Sequence, residues 1–304
     1  MHPSDYLKAC REKLGMTQED LVEALYHFDD ASFFGLTPTT LSRWERGVTT
    51  PPPNRMAALL RFFQQKEGMP LPCVESTDEE EIESLLREEK ISNLLKPKNM
   101  INDIALQGVT PEMLELVDVC HHERVDDLLE LNTMLHQGAN TPFTRVSHAH
   151  FQRWINHPGN LFIAVTYKSS FLGLLFALRL KPESFDKVLS FSMKKSEIEE
   201  DDFAAPHEEG SLYLLSLFSL SPVVATRLFR RLYAHLIALQ ATTREVGFIS
   251  SYEEAWTLAK RLGLKERESM EMDETMIKAF RCDLFTMMCI PQALKFFFAK
   301  EFCD

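Results

Sequence analysis

Thr37-Pro38-Thr39-Thr40-Leu41-Ser42-Arg43-Trp44-Glu45-Arg46-Gly47, placed one short helix after Met16-Thr17-Gln18-Glu19-Asp20-Leu21, decides how the amino-terminal part of this chain reads. A helix that reads a DNA groove needs small or hydrogen-bonding side chains in its first turn, apolar anchors holding it to its own domain, and a residue that stops it. Thr37 supplies a cap, Pro38 fits the first helical position, where an N–H would have no partner anyway, and Gly47 supplies a left-handed stop. Leu41 and Trp44, three apart, share the inward face, which turns Thr39, Thr40, Ser42, Arg43 and Arg46 outward. Upstream, Thr17 caps a second helix whose first turn carries Glu19 and Asp20, acids that suit the positive helix end.

Working outward, residues 5–66 carry apolar positions at helical spacing (Tyr6, Leu7 and Cys10; Leu21, Ala24 and Leu25; Met56, Leu59, Leu60 and Phe63), enough for five short helices. Pro51-Pro52-Pro53-Asn54 ends one segment and starts the next. The stretch Tyr26 to Phe34 holds four aromatics, Tyr26, Phe28, Phe33 and Phe34, which are expected to extend the core of this module, the alternative being contact with a partner. At 304 residues the chain has room for a small module plus a larger one. No run approaches a membrane span, and Met-His-Pro-Ser-Asp has neither the basic segment nor the apolar core of a signal peptide, so a cytoplasmic location and no membrane partner are expected. Six dispersed cysteines, Cys10, Cys73, Cys120, Cys282, Cys289 and Cys303, contain no C-x-x-C pair and predict reduced thiols.

The net charge of −12 runs against simple attraction to phosphate, but the acids cluster elsewhere, in Asp78 to Glu83 and in Glu197 to Glu209. Arg43, Arg46, Arg55 and Arg61 fall in the helical module. With so few arginines doing the electrostatic work, modest affinity per copy and steep salt dependence are expected.

On the strength of Met16-Thr17-Gln18-Glu19-Asp20-Leu21 and Leu41-Ser42-Arg43-Trp44-Glu45-Arg46-Gly47 followed by prolines, residues 5–66 resemble the phage-repressor helix-turn-helix family, often called Xre-like. The resemblance implies that Gln18 contacts the DNA backbone and steadies the recognition helix, and that Pro38, Thr39 and Arg43 face base edges. Arg43 can bond two acceptors on guanine, whereas Thr39 and Thr40 can meet a thymine methyl or a phosphate. Pro38 offers no hydrogen bond, a departure from the family. The expected DNA-binding set is therefore Gln18, Thr37, Pro38, Thr39, Thr40, Ser42, Arg43 and Arg46.

Gly68-Met69-Pro70-Leu71-Pro72 marks a break. In the helix expected beyond it, Ile82, Leu85 and Leu86 face one side and Ile91, Leu94 and Leu95 the other, so residues 68–111 are read as a helical linker and a dimer element. From residue 112 the period alternates with helices: a strand at Leu114 to Val119, a helix from Val125, another after Ser147, and a hairpin of Leu161 to Tyr167 and Phe171 to Leu180. Ser211 to Leu220 follows as a strand, then a helix containing Leu228 to Leu239, a strand at Val246 to Ser250, a helix at Glu253 to Leu262 and a last strand near Ala279 to Met288. Pro182 to Gly210 is expected as a mobile acidic excursion, the alternative being a partner-facing hairpin that carries Phe185, Leu189 and Phe191. The tail Phe296-Phe297-Phe298 is expected to be buried within its own subunit.

That order is similar to the GNAT superfamily of N-acetyltransferases, with Gly173, Leu220-Ser221-Pro222 and Ala259-Lys260-Arg261-Leu262-Gly263-Leu264 as supporting pieces. The fold class is thus multidomain: an all-α helix-turn-helix domain at 1–67, the linker at 68–111, and an α+β GNAT-like domain with a mixed central sheet at 112–304. The resemblance implies an acetyl-coenzyme A loop, yet Val223-Val224-Ala225-Thr226-Arg227 has no glycine to wrap a pyrophosphate, and Ala259 stands where the family carries a proton-donating tyrosine. No catalytic residue and no cofactor are therefore expected. Arg227, Arg230 and Arg231 are the candidate anion-binding residues of a ligand-sensing or dimerising domain. Cys120-His121-His122 with His148 and His150 predicts no metal site, since adjacent histidines point apart. The expected partners are a double-stranded DNA operator, a second copy of the chain and a small-molecule ligand; the alternative is an active N-acetyltransferase with a helix-turn-helix targeting module.

Overall fold

The computed structural model describes residues 2–67, 110–136, 146–168, 170–272 and 274–290, with isolated positions between 83 and 95, at 143 and at 293–294. Most of the linker and the Phe296-Phe297-Phe298 tail lie outside the described residues. Two compact units divide the chain, one joining the amino-terminal helices to the segment from Phe285 onward, the other running from Glu83 to Leu284.

The first unit is all helical. α1 (Pro3–Lys13) starts on His2, whose ring nitrogen accepts from the Ser4 N–H. α2 (Gln18–Phe28) starts on a reciprocal box: the Asp20 N–H donates to the Thr17 hydroxyl at 3.1 Å and the Thr17 N–H to the Asp20 carboxylate at 3.0 Å. Those bonds hold the Asp20 carboxyl below its usual range. α3 (Asp30–Phe33) and α4 (Pro38–Glu45) follow, then α5 (Pro53–Glu67). Leu7, Leu21, Leu25, Leu41, Met56, Leu59 and Phe63 are all at or near zero exposure, so the helical spacing read from the sequence is the core itself.

The aromatic stretch between α2 and α4 divides. Phe33 is buried and Phe28 meets Phe62 edge-on at 5.5 Å, as a core extension requires. Tyr26 and Phe34 remain exposed, Phe34 at 76%, so they do not extend the core as the favoured expectation had it. The reason is the stop at Gly35 (φ +72°), which ends α3 after one turn and turns Phe34 outward.

The second unit is built on one sheet of seven strands. β1 (Glu115–Asp118) is followed by α6 (Val125–His136) and α7 (His148–Trp154), then by the hairpin β2 (Leu161–Tyr167) and β3 (Ser170–Leu180). α8 (Pro182–Leu189) leads toward β4 (Gly210–Ser219), after which come α9 (Pro222–Ala238), β5 (Thr243–Ser250), α10 (Glu253–Arg261), β6 (Lys265–Met272) and β7 (Thr275–Asp283); α11 (Leu284–Met288) follows and, from Phe285, belongs to the first unit. The strand order is β1-β2-β3-β4-β5-β7-β6, antiparallel except for the parallel pair β4 and β5. β2, β3 and β4 are buried along nearly their whole length because helices cover both faces. α9 lies so close over β3 that a Cβ on Gly173 would come within 2.5 Å of a Val224 methyl.

Three expectations need correction. The sequence reading places no strand at β6, because Lys-Glu-Arg-Glu-Ser-Met-Glu-Met has no apolar alternation; β6 is one edge of the sheet, where charged side chains disfavour pairing with another chain. The last strand ends at Asp283 rather than Met288, and Leu284 to Met288 turn into a helix. Residues 182–210 form no hairpin. Pro182 starts α8, Phe185, Val188 and Leu189 share its buried face, and Phe191, Ile198 and Phe203 follow them into the core while the acids face out.

Arg179 fastens the end of that segment. It is fully buried, and its guanidinium donates to the Thr243 hydroxyl at 2.7 Å, the Glu208 carbonyl at 2.8 Å, and the Thr242 carbonyl and hydroxyl at 3.0 and 2.8 Å. Burial lowers its pKa, but the bonds compensate most of the lost hydration. Arg179→Met is expected to cost about 3 kcal/mol or more in urea-unfolding stability, because it strands several buried acceptors at once. A loss below about 1 kcal/mol would show that water replaces the guanidinium there.

Candidate functional sites

α4 begins and ends as its residues dictate. Thr37 accepts from the Thr40 N–H at 3.2 Å, and Pro38 occupies the first helical position. At the other end Gly47 adopts φ +65°, with its N–H donating to the Trp44 carbonyl and the Val48 N–H to the Arg43 carbonyl. The helix spans eight residues, about two turns. Leu41 and Trp44 are buried, and Glu45 at 8% exposure is buried too.

Glu45 is the hub that sequence reasoning missed. Its carboxylate accepts from Arg11 Nε at 2.6 Å, from a second Arg11 nitrogen at 3.1 Å, and from the Gln18 amide at 2.7 Å. Arg11 also donates to the Met16 carbonyl at 2.9 Å. One acid thereby ties α1, α2 and α4 together, and the bond to Glu45 raises the Arg11 pKa. The partners lie 34 and 27 residues from Glu45 in sequence, and no local pattern marks them.

The expected DNA-binding residues divide by what they already hold. Gln18 is half-buried and spends its amide N–H on Glu45. Thr37 and Thr40 share a hydroxyl contact of 3.1 Å. Arg46 is exposed, with Nε donating back to the Ser42 carbonyl at 3.2 Å. Thr39 is exposed, Pro38 and Ser42 half-buried. Arg43 is exposed, and its guanidinium has no hydrogen bond or ion pair with any described residue. Of the other two arginines, Arg55 donates to the Phe34 carbonyl at 3.0 Å and Arg61 reaches Asp29 at 3.4 Å, so neither is as available as Arg43.

In the sheet unit, β4 and β5 pair only from Gly210 to Tyr213 on one side and Thr243 to Gly247 on the other. Beyond Tyr213 the strands diverge around a cavity of about 130 Å³ lined by Leu214 to Leu217, Phe248 to Tyr252, three residues of α10 and its end, and Lys195. Tyr252 and Lys195 are residues that the sequence reading did not single out.

The start of α9 is a poor cradle for a pyrophosphate. Ser221 already accepts from the Val224 N–H at 3.3 Å, Pro222 has no N–H, and the Ser221 N–H donates to the Ser219 hydroxyl. Among the described residues only the Val223 N–H of that turn is left over, where a phosphate needs several converging donors. Coenzyme A pyrophosphate therefore finds no preformed seat at this helix. Arg227, Arg230 and Arg231 do share one face of α9, at i, i+3 and i+4, but from its second turn onward; Arg227 and Arg230 are half-buried and Arg231 is exposed. Arg227 adds to the hydrogen bonds from Thr110 and the backbone that lower the Glu112 carboxyl.

Asp118, Cys120 and His121 bring one ligand atom each within 4.8 Å, with a carboxylate that the Cys120-His121-His122 spacing did not show. Asp118 is there as a cap, accepting from the Cys120 N–H at 3.2 Å and its thiol at 3.0 Å. Burial, with Asp118 adding, pushes the Cys120 thiol up to about 11. Cys10, Cys120, Cys282 and Cys289 form no disulfide among the described residues. No helix among the described residues is long and apolar enough to cross a membrane.

Comparison with known proteins places a helix-turn-helix domain over residues 4–68. No curated protein sequence matches the chain. Among solved structures, Arabidopsis thaliana Naa50, held with a bisubstrate analogue, is 13% identical and aligns over 56% of this chain and 98% of its own, with a TM-score of 0.34. FeeM, an N-acyl amino acid synthase from uncultured soil microbes, is 10% identical over 60% of this chain and 96% of its own, at 0.40. MesI, a CoA-dependent acyl-homoserine lactone synthase, is 13% identical over 63% and 96%, at 0.34. The sheet itself is mixed, as expected, with one parallel pair, β4 and β5, among antiparallel neighbours. The chain joins an amino-terminal helix-turn-helix domain to an α+β domain built on a mixed seven-stranded sheet.

Proposed function

We propose that this protein is a sequence-specific DNA-binding regulator that acts as a dimer, with α4 reading base edges and the GNAT-like domain holding a small ligand without transferring an acyl group. The observation that carries this reading is the division of α4: Leu41, Trp44 and Glu45 fix one face, while Arg43 stands exposed on the other with no described partner. Gln18, Thr37, Pro38, Thr39, Thr40, Ser42 and Arg46 flank it as groups for phosphate and base contacts. Two copies would reach half-sites about one turn, roughly 34 Å, apart on one face of the duplex.

Selection of binders from random duplexes tests this. An inverted repeat with half-site centres spaced by about one helical turn, bound with two chains per duplex, is the expected outcome. Enrichment of no motif, or of a motif without internal symmetry, would contradict it.

The diverging β4 and β5 strands favour a second reading, an acyltransferase with Tyr252 beside the reacting atoms. Acetyl-coenzyme A titrated by calorimetry separates the two. Tight binding with turnover on an amine, lost in Tyr252→Phe, would support the transferase; the seatless start of α9 supports its absence.

A further inference from the structure

Lys195 is the one described lysine of the sheet unit that is nearly fully buried, at 4% exposure, and it lines the cavity between β4 and β5. Its ammonium lies 5.4 Å from the centroid of the Tyr213 ring and has no hydrogen bond or ion pair with any described residue. An aromatic face returns part of what water gives an ammonium, but it does not replace a counter-charge. Burial brings the Lys195 pKa down to about 8, so the group is still largely protonated at neutral pH. The rest of the lining is mainly apolar, with Leu214, Leu217, Phe248, Leu258 and Leu262 forming the walls. The lysine is also held in place: Phe191 and Ile198 on either side of it are buried, and the Lys194 N–H donates to Glu197 at 2.9 Å.

We propose that this cavity binds a small apolar monocarboxylate, whose carboxylate pairs with Lys195 and whose hydrocarbon tail fills the space between the diverging strands. The size follows from the volume. About 130 Å³ is close to the ~150 Å³ dry cavity that takes a benzene ring, so a tail of about four or five carbons fits. The site lies apart from Arg227, Arg230 and Arg231 on α9, and it rests on the ligand-holding part of the function proposed above.

The test titrates the full-length protein by calorimetry with acetate, propionate, butyrate and valerate, and with uncharged valeramide. Each added methylene is expected to tighten binding about fourfold until the cavity is full. Valeramide is expected to bind at least about tenfold more weakly than valerate, because it brings no charge to the ammonium. In Lys195→Met, which keeps the stem length and removes the charge, valerate and valeramide should bind equally weakly while the thermal midpoint holds or rises. Valerate bound equally well by wild type and Lys195→Met, or no preference of the wild type for valerate over valeramide, would overturn the proposal; the second comparison needs no variant. Operator affinity measured in the same samples separates the two claims. Valerate binding that leaves operator affinity unchanged upholds the site and removes ligand sensing from the function, whereas operator binding by a protein that takes no carboxylate removes the site and leaves the DNA-binding regulator.

Discussion

Glu45→Ala is expected to cost about 3–5 kcal/mol, a large share of the roughly 5–15 kcal/mol that holds a protein folded. The carboxylate side chain is 4% exposed and that of its partner Arg11 14%, so removing the acid leaves a guanidinium and the Gln18 amide poorly hydrated and unmatched. Little of the penalty can be screened by salt at that depth. The attraction itself contributes less than the stranded charge costs, and that difference has a signature. Arg11→Met combined with Glu45→Met is expected to recover most of the loss, since apolar side chains of similar length fill the space with no ion left behind. Urea unfolding followed by circular dichroism on both variants distinguishes the cases; a Glu45→Ala loss under about 1 kcal/mol would mean that the three helices are held by their apolar contacts alone.

Arg43→Ala is expected to act in the opposite way, leaving the fold intact and removing recognition. Nothing described in the protein depends on the Arg43 guanidinium, so stability should change by no more than about 0.5 kcal/mol. Each lost pairing with a guanine edge costs about 1–3 kcal/mol, and a dimer loses it twice, so affinity for the selected duplex should fall by at least about thirtyfold. Binding to unrelated duplexes should weaken far less, because one phosphate-range charge among several is removed. Equal weakening on all sequences would assign Arg43 to the backbone instead.

How much of this was legible in the sequence depended on how local the governing chemistry is. The caps and stops of α4 lie within a few residues of what they act on: Thr37 bonds the N–H three positions on, and the Gly47 and Val48 N–H groups close the helix on carbonyls three and five positions back. They read correctly for that reason. The β2–β3 hairpin was equally plain, because strands covered on both faces become continuous apolar runs. Glu45 was not legible as a hub, since its partners come from two other helices and a lone glutamate in a helix normally faces water. β6 failed for a related reason: an edge strand escapes apolar patterning and is held by its one neighbour, β7.

Residues 182–210 show where charge misleads. Their acids suggested a solvated excursion, but Phe185, Ile198 and Phe203 bury themselves and Arg179 bonds the backbone that follows. Lys195 sits among those acids and beside Lys194, as a surface lysine would; its only marker is the pair of apolar positions, Phe191 and Ile198, that carry its turn inward.

Methylation interference at guanine N7 on the selected duplex tests the central claim most directly, because that atom lies in the major groove and is one of the two acceptors Arg43 would take. The account predicts that one methylated guanine per half-site blocks the wild-type protein, while Arg43→Ala binds methylated and unmethylated duplexes equally. Binding by the wild type that is indifferent to N7 methylation throughout the site would contradict a reading helix in that groove.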